Sequence, residues 1–385
     1  MKRVAVLGEG VTARAVLSKL DYLNYSASSI EEADLIIASP GIPPSDYPKV
    51  TVPIISEIEF TYLEMRDRGT LPKIIAVTGT NGKSTVTAMI AHVLGCNYAG
   101  NIGVPFVEFI DKQVDTLALE LSSFQLESCF EFCPDIAVIL NISPDHLSRH
   151  HTLSDYMEAK ARLFQNMGPD QRIVYNQDDP LVLTCIDGVG AKKLSFSFSK
   201  DLEGVLTRLP GRHNIMNASA VVTVGASCGY SEQKCRDQLN SFQGLAHRLE
   251  WVGEYDGVMY INDSKATNLD ATINAIRSFN QALHVILCGQ DKRDVSDSQV
   301  KLFLSAVETR SSKVYVYGDL AQRYKSFVTD SKKVLFFKDL DAVMAAIKVG
   351  VTAGDVVLFS PSSSSYDLYK SFEHRGDEFK RRVCL

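Results

Sequence analysis

An apolar run from Lys73 to Val77 leads directly into Thr78-Gly79-Thr80-Asn81-Gly82-Lys83-Ser84-Thr85, and Val86 to Leu94 follows with helical character. A strand, a glycine-bearing turn and a helix start in that order present backbone N–H groups at a helix N-terminus, where they can cradle phosphate oxygens. Lys83 adds a cation to neutralise those oxygens, and Ser84 a hydroxyl able to ligate magnesium. The longer form G-x-x-x-x-G-K-[ST] would place glycine at 77, which is valine here, so the match is to the shorter G-T-N-G-K-S form. Phosphate binding is the chemistry this predicts, because an idle turn would need neither both glycines nor the Lys-Ser pair. A GTPase or a simple kinase could own the same loop.

Two further groups belong with it. Leu117 to Leu119 reads as a strand end carrying Glu120 at its C-terminal edge, the side on which open α/β sheets bind ligands. A carboxylate there can hold magnesium on ATP. Asp145-His146 follows another apolar run, Ile136 to Leu140, and should emerge on the same edge. An isolated Asp-His pair is more often an ordinary loop, but beside a phosphate loop and Glu120 it counts as part of a site. Near the N-terminus, the run Arg3 to Gly8 enters a helix over Thr12 to Leu20, with Gly8, Gly10 and Ala13 spaced as G-x-G-x-x-A. Gly10 and Val11, with Ser39 after the short strand Asp34 to Ala38, could approach a diphosphate; a tight turn with no ligand fits the same residues. Asp21 to Ser29 is short and polar, so no strand is expected after that first helix.

These groups need a scaffold that brings strand ends together. A chain of 385 residues exceeds what one hydrophobic core usually holds, and roughly 150 residues per domain gives two or three domains. Turn-forming Gly69, Thr70 and Pro72 mark a boundary, and alternating strand and helix signals run on to about residue 243. A third alternating set follows His247-Arg248-Leu249-Glu250, with apolar runs at 282–288, 313–317, 333–337 and 356–359. The expected fold class is α/β in three domains, 1–71, 72–244 and 245–385: a Rossmann-like N-terminal domain, a central P-loop ATPase domain with a mostly parallel sheet, and a Rossmann-like C-terminal domain.

With 45% hydrophobic and 22% charged residues the chain can bury substantial cores. A net charge of -6 gives no ground for expecting nucleic acid as a partner. No stretch reaches the roughly 18 apolar residues needed to span a bilayer, and the opening apolar run is too short for a signal peptide, so a cytoplasmic protein without membrane insertion is expected. The eight cysteines are scattered, and Cys129 and Cys133 lack the partners of a zinc site.

GTNGKST at 79–85 resembles the ATP loop of the Mur ligases and of their folylpolyglutamate synthase relatives. Further blocks resemble the D-glutamate-adding branch of the Mur family: Gly100-Asn101-Ile102-Gly103, Glu120 to Leu126 (ELSSFQL), Asp145-His146-Leu147, Gly211-Arg212-His213-Asn214, His247-Arg248, Asn262 to Asn268 (NDSKATN) and Phe372 to Phe379 (FEHRGDEF). The resemblance runs from about residue 39 to 379. It implies an ATP-dependent ligase that joins D-glutamate to UDP-N-acetylmuramoyl-L-alanine through an acyl phosphate, in peptidoglycan precursor synthesis.

The roles it implies are specific. Lys83, Glu120, His146 and Lys160 would be catalytic, and Ser84, Glu120, His146 and Lys160 would surround two magnesium ions, with Lys160 carbamylated. By residue type alone Lys160 is a solvated helix lysine. ATP would be held by Gly79, Thr80, Asn81, Gly82, Lys83, Ser84 and Thr85, by Asn214 and Asn217, and by Arg248, Asp263 and Lys265. Thr267, Lys292, Ser365 and Phe372 would take D-glutamate. Gly10, Val11, Ser39, Asn101, Ser122 and Tyr366 complete the substrate contacts. The first domain would hold the UDP precursor in shortened form, the second ATP and the third the amino acid, with closure of the third on the second expected. A monomer is expected. Gln290 and Ser148 depart from the family pattern, which more often has glycine and aspartate there. Another Mur-type or folylpolyglutamate-type ligase is the alternative within the class. Outside it stands a non-catalytic nucleotide-binding regulator.

Overall fold

Short apolar runs separated by glycine, proline and polar turns form three sheets. The computed structural model describes residues 2–205, 212–291, 295–328 and 331–384. Lys292, expected in the amino-acid site, and Gly211, in the GRHN block, therefore lie outside the described residues. The first sheet contains β1 (Lys2–Leu7), β2 (Tyr25–Ala27), β3 (Leu35–Ala38) and β4 (Ile54–Ser56), all parallel, in the order β2-β1-β3-β4.

The second sheet is also fully parallel. It contains β5 (Lys73–Thr78), β6 (Asn97–Gly100), β7 (Thr116–Glu120), β8 (Ile136–Ile139), β9 (Arg172–Asn176) and β10 (Lys192–Phe196), in the order β10-β9-β8-β5-β7-β6. Strand order reverses about β5, and the crevice beyond the strand ends at such a point is where ligands bind in open α/β sheets. The register sets Val77 beside Glu120 and Thr78 beside Ile139, so the loops after β5, β7 and β8 leave from one edge.

The third sheet contains β11 (Glu250–Tyr255), β12 (Val258–Asn262), β13 (Leu283–Cys288), β14 (Lys313–Tyr317), β15 (Val334–Phe336) and β16 (Val356–Ser362), in the order β11-β12-β16-β13-β14-β15. Only β11 is antiparallel to its neighbour. The alternation in the sequence thus corresponds to an α/β protein with mostly parallel sheets, as expected. The central strands are buried on both faces, which is why they read as unbroken apolar runs.

β2 corrects the expectation that no strand follows the first helix. It is three residues long and lies at a sheet edge with β1 as its one neighbour. Such a strand needs no apolar run. Its anchor is Tyr25, whose hydroxyl donates to Glu64 at 2.5 Å and whose ring lies 5.9 Å from that of Phe60.

The chain divides into two compact units, one of Met1–Leu206 with His213–Phe242, the other chiefly Gln243–Leu385. Within the first, a large hydrophobic core runs from Val4 and Val16 through Ile74 and Leu117 to Ile173. The helix Glu57–Asp67 joins its parts: the Glu59 carboxylate accepts the N–H groups of Glu131 and Phe132 at 2.6 and 3.0 Å. In the second unit, apolar clusters cover both faces of the sheet. Among the described residues, no helix is long and apolar enough to cross a membrane.

Candidate active site

β5 ends at Thr78, and the helix Lys83–Leu94 begins five residues later. The loop between them must turn sharply against the segment after β8. Gly79 has φ +146°, and a Cβ there would lie 3.1 Å from the Cβ of Leu140. Gly82 has φ +86°, and its Cβ would meet Asn217 Oδ1 at 2.6 Å. The loop is clasped from across the sheet. Thr80 N–H donates to Asn141 O at 2.9 Å, Asn81 N–H to Asn141 Oδ1 at 2.9 Å, and Asn141 Nδ2 returns a bond to Asn81 O at 3.0 Å. Thr80 Oγ1 accepts the Ser143 N–H at 3.0 Å and meets the Tyr156 hydroxyl at 3.1 Å. Lys83 Nζ folds over the loop and donates to Gly79 O and Thr80 O at 2.9 and 2.8 Å. Ser84 is buried at the start of the helix, and Asn217 Nδ2 donates to Asn214 Oδ1 at 3.2 Å.

Lys160 is not the solvated lysine its residue type suggests. It is 1% exposed, donates from Nζ to Gly79 O at 2.8 Å, and lies 4.5 Å from the Tyr156 ring centroid. The helix Leu153–Ala161 carries it, fixed at its start by a capping box between Thr152 and Asp155. Burial, reinforced by the Lys83 charge, holds the Lys160 amine well below the usual lysine range, against the pull of Asp145, Cys185 and Glu120. Glu120, 2% exposed, accepts from Asn101 Nδ2 at 2.8 Å through Oε1, while Oε2 is buried with no hydrogen-bond partner among the described residues. A carboxylate oxygen buried without a donor suits a cation. Gly100 makes room here: with φ +100°, a Cβ on it would be 2.3 Å from Glu120 O.

His146 adopts φ +54° and starts the short helix Leu147–His150. Its ring lies 4.9 Å from that of Phe124 and 6.3 Å from that of Tyr156. Burial holds its pKa below the ordinary imidazole value; Lys83, Lys160 and Arg149 push the same way, and Asp145 opposes. Among the described residues no three His, Cys, Asp or Glu side chains are clustered to bind a metal by themselves. The oxygens of Glu120 and Ser84 fit magnesium bound chiefly through substrate phosphates, which is how that ion is usually held.

Ser122 caps the helix Ser123–Leu126 in a capping box with Gln125. Ser39 packs over Gly8: a Cβ at Gly8, φ +109°, would lie 2.7 Å from Ser39 Oγ, which is buried and has no hydrogen-bond partner among the described residues. Gly10 precedes the helix Val11–Lys19 as its N-cap, and Val11 is exposed. Arg149 ties this region to the SSFQL helix. It donates to Pro40 O at 2.7 Å and Ile42 O at 3.3 Å, pairs with Glu127, and stacks 4.2 Å from the Phe124 ring centroid.

In the C-terminal unit, β12 ends in Asn262 and releases the segment 263–268. Asp263 accepts Leu249 N–H at 3.1 Å and Ser360 Oγ–H at 2.8 Å, and burial pushes its carboxyl up to about 7 despite those bonds and Arg248. Lys265 N–H donates to His247 O at 2.9 Å, and its Nζ lies 5.4 Å from the Phe372 ring centroid. Ser264 Oγ donates to Phe372 O at 2.8 Å. Arg248 Nε is buried without a hydrogen-bond partner among the described residues. Thr267 is half-buried, Ser365 buried and Tyr366 exposed. Left-handed backbone at His247, Leu249 and Ser362 concentrates strain in these loops, as functional sites often do.

Residues 77–204 match the family described as Mur ligase middle domain, and residues 247–363 the Mur ligase, glutamate ligase domain. The UDP-N-acetylmuramoylalanine--D-glutamate ligase of Pelotomaculum thermopropionicum is 36% identical over 97% of this chain and 88% of its own length. The chain belongs to the Mur ligase family. The ligase of the same name from Alkaliphilus metalliredigens is also 36% identical, over 92% of this Mur ligase and 84% of its own length. Among solved structures, UDP-N-acetylmuramate-alanine ligase MurC of Thermotoga maritima superposes with TM-score 0.61 at 20% identity, covering 100% of this chain and 99% of that one. MurF ligase of Thermotoga maritima, solved in complex with ADP, superposes with TM-score 0.64 at 18% identity, covering 99% and 94%. These two likenesses show a common fold.

Sequence reading had not singled out Asn141, Tyr156 or Arg149 in this Mur ligase. Asn141 directly follows an apolar strand on the Glu120 edge, and that position could have marked it. Tyr156 lies four residues before Lys160, one helical turn away, and that spacing is a usable signal. Nothing in the sequence announces the Arg149 contacts with Pro40 and Ile42, made across more than a hundred residues.

Proposed function

We propose that this Mur ligase joins D-glutamate to UDP-N-acetylmuramoyl-L-alanine, with ATP cleaved to ADP and phosphate, in peptidoglycan precursor synthesis. The observation that carries the reading is the 36% identity with a ligase of that name over 97% of the chain, spanning both compact units. As a Mur ligase it uses ATP with magnesium. The γ-phosphoryl group passes to the alanyl carboxylate, giving an acyl phosphate. The D-glutamate amine attacks that carbonyl, and the tetrahedral adduct collapses to the amide and free phosphate.

Phosphoryl transfer asks chiefly for positioning and charge neutralisation. The N–H groups at the start of Lys83–Leu94 are placed for the ATP phosphates, and Lys83 Nζ exchanges its Gly79 and Thr80 carbonyls for phosphate oxygens. We assign Gly79 to Thr85, Asn214 and Asn217 to ATP in the first unit, and Arg248, Asp263 and Lys265 to ATP in the second. Magnesium, when bound, offsets phosphate charge; Ser84, Glu120, His146 and Lys160 are the groups assigned to two ions. Lys160 suits carbamylation because its depressed pKa leaves a neutral amine, which adds carbon dioxide and releases one proton to form an anionic carbamate.

Thr267, Lys292, Ser365 and Phe372 are assigned to D-glutamate, Gly10, Val11 and Ser39 to the UDP precursor, and Asn101, Ser122 and Tyr366 to the remaining substrate contacts. Functionally this divides the chain into a UDP-precursor domain at 1–71, an ATP domain at 72–244 and an amino-acid domain at 245–385. The reading takes the protein to act as a cytoplasmic monomer, which light scattering of purified protein checks for oligomeric state. The test of the activity is phosphate release with purified protein and magnesium. Release should require both the UDP precursor and D-glutamate, and release indifferent to either would reject the assignment.

A further inference from the structure

The largest fully buried side chain among the described residues is a cation. Arg375, in the helix Phe372–Val383, is 0% exposed, and its guanidinium donates to three neutral oxygens. Nε donates to Ser264 Oγ at 3.0 Å, NH2 to Ser264 O at 2.9 Å and NH1 to Ser363 O at 2.9 Å. The guanidinium also faces the Cys288 thiol, and no carboxylate among the described residues pairs with it; burying a guanidinium that way is costly, and an apolar side chain of similar volume would fill the space at less expense. What the guanidinium offers in return is its fork of donors.

The fork joins the loops that leave three adjacent strands. Ser264 follows β12, Ser363 follows β16, and Gly289 follows β13, in the sheet order β12-β16-β13. Gly289, φ +124°, passes so close that a Cβ would lie 3.0 Å from Arg375 NH1 and 2.3 Å from Ser364 O, and Gln290 N–H donates to Ser364 O at 2.9 Å. Ser264 relays the contact onward, since its hydroxyl accepts from Arg375 and donates to Phe372 O at 2.8 Å. One guanidinium thereby sets the mutual positions of the segments carrying Thr267, Ser365 and Phe372.

We infer that Arg375 is the positioning residue of the amino-acid subsite, holding these three loops in the geometry that accepts the two carboxylates of D-glutamate. The inference rests on the proposed function. Arg375 does not touch the substrate; it acts through Ser264, Ser363 and Phe372. The nucleotide side has anchors of its own: Asp263 is held by Leu249 N–H, Ser360 Oγ–H and its own N–H to Phe359 O at 2.7 Å, and Lys265 N–H donates to His247 O at 2.9 Å. Loss of the fork should therefore loosen the amino-acid site while leaving nucleotide affinity nearly intact.

The experiment is steady-state kinetics of the full-length enzyme with Arg375→Lys and Ser264→Ala, varying D-glutamate and ATP separately, alongside thermal melts. Arg375→Lys keeps the charge but cannot reach three acceptors in one plane. It should raise KM for D-glutamate at least tenfold and leave KM for ATP within about twofold. Ser264→Ala, which removes one acceptor and the relay to Phe372, should give the same signature at smaller amplitude and remains informative if the lysine variant misfolds. The double variant should be less than additive, as residues acting through one contact are. A fall in kcat with KM for D-glutamate unchanged in both single variants is what a merely structural arginine gives, and it overturns the inference. Wild-type enzyme that turns over without regard to D-glutamate overturns the proposed function instead. These two failures are separable in one data set.

Discussion

Lys160 places an amine between the phosphate-loop carbonyl of Gly79 and the face of Tyr156, under the charge of Lys83. A cation there is disfavoured, and a neutral amine is ready for carbon dioxide. Lys160→Ala should keep its circular dichroism spectrum and lose activity by about 100-fold or more, the scale on which removal of one preorganised charged group acts. Acetate in the assay should restore part of it by occupying the vacated anion position, and Lys160→Glu should be a poorer substitute because its stem is shorter. Full activity in the alanine variant would return Lys160 to a packing role. Gly82 gives a second residue-scale outcome. Alanine at φ +86° carries about 1–2 kcal/mol of backbone strain, and its Cβ would also collide with Asn217 Oδ1. Titration calorimetry should show Gly82→Ala binding a non-hydrolysable ATP analogue at least tenfold more weakly. Gly95→Ala is the matched control: it shares a left-handed φ of +65° but meets open space, so it should lose stability and keep nucleotide affinity.

The helix Glu57–Asp67 shows how one element couples a buried acid to stability. Glu57 is buried and accepts the Val107 N–H at 2.6 Å. Burial pushes its carboxyl up to about 7 from 4.5, although the bonds from Val107, Thr61 and Phe106 oppose the rise. The folded state therefore binds more protons than the unfolded chain between these values. The contribution of Glu57 is fully present below pH 4.5 and is lost as pH rises through about 7, with an amplitude on the order of 3 kcal/mol at most. Glu57→Gln keeps an acceptor for Val107 and removes the titration. In urea melts across pH 4 to 8, stability of wild type relative to the variant should fall with rising pH and level off above about 7. A pH-independent difference would mean the carboxyl does not titrate in that window.

At the scale of the molecule, each compact unit closes its own core. The apolar clusters of the first unit include a large one from Val4 to Ala191 and a smaller one around Ala5 and Ile36, and the second has clusters on both faces of its sheet. A fragment of residues 1–242 should fold and unfold cooperatively, and so should a fragment of 243–385. The first carries the whole phosphate loop, so a magnesium–ATP analogue at about 100 times its Kd should stabilise that fragment by about 2.7 kcal/mol. Calorimetric scans of each fragment check both points. A first fragment that melts without cooperativity, or whose melt the analogue leaves unmoved, would show that its core or its nucleotide loop depends on the rest of the chain.

The sequence by itself determined the groups whose geometry is local. A strand, two glycines and a helix start within a dozen residues specify the phosphate loop, because each φ and each N–H direction is set by near neighbours. Glu120 and the Asp145-His146 pair were legible for a related reason: a parallel strand buried on both faces announces its own end, and the residue just beyond it must stand at the ligand-binding edge. Other features were decided only by tertiary structure. The edge strand β2 has three residues and no apolar run, so its pairing with β1 gave it form without leaving a pattern. Lys160 reads as a solvated helix lysine until a carbonyl 81 positions away receives its amine. Arg375 reads as one charge on a basic helix until Ser264, 111 positions away, accepts its guanidinium. Burial and pairing of a charge depend on which distant backbone atoms the fold brings within 3 Å, and no periodicity or spacing in a single chain records that distance.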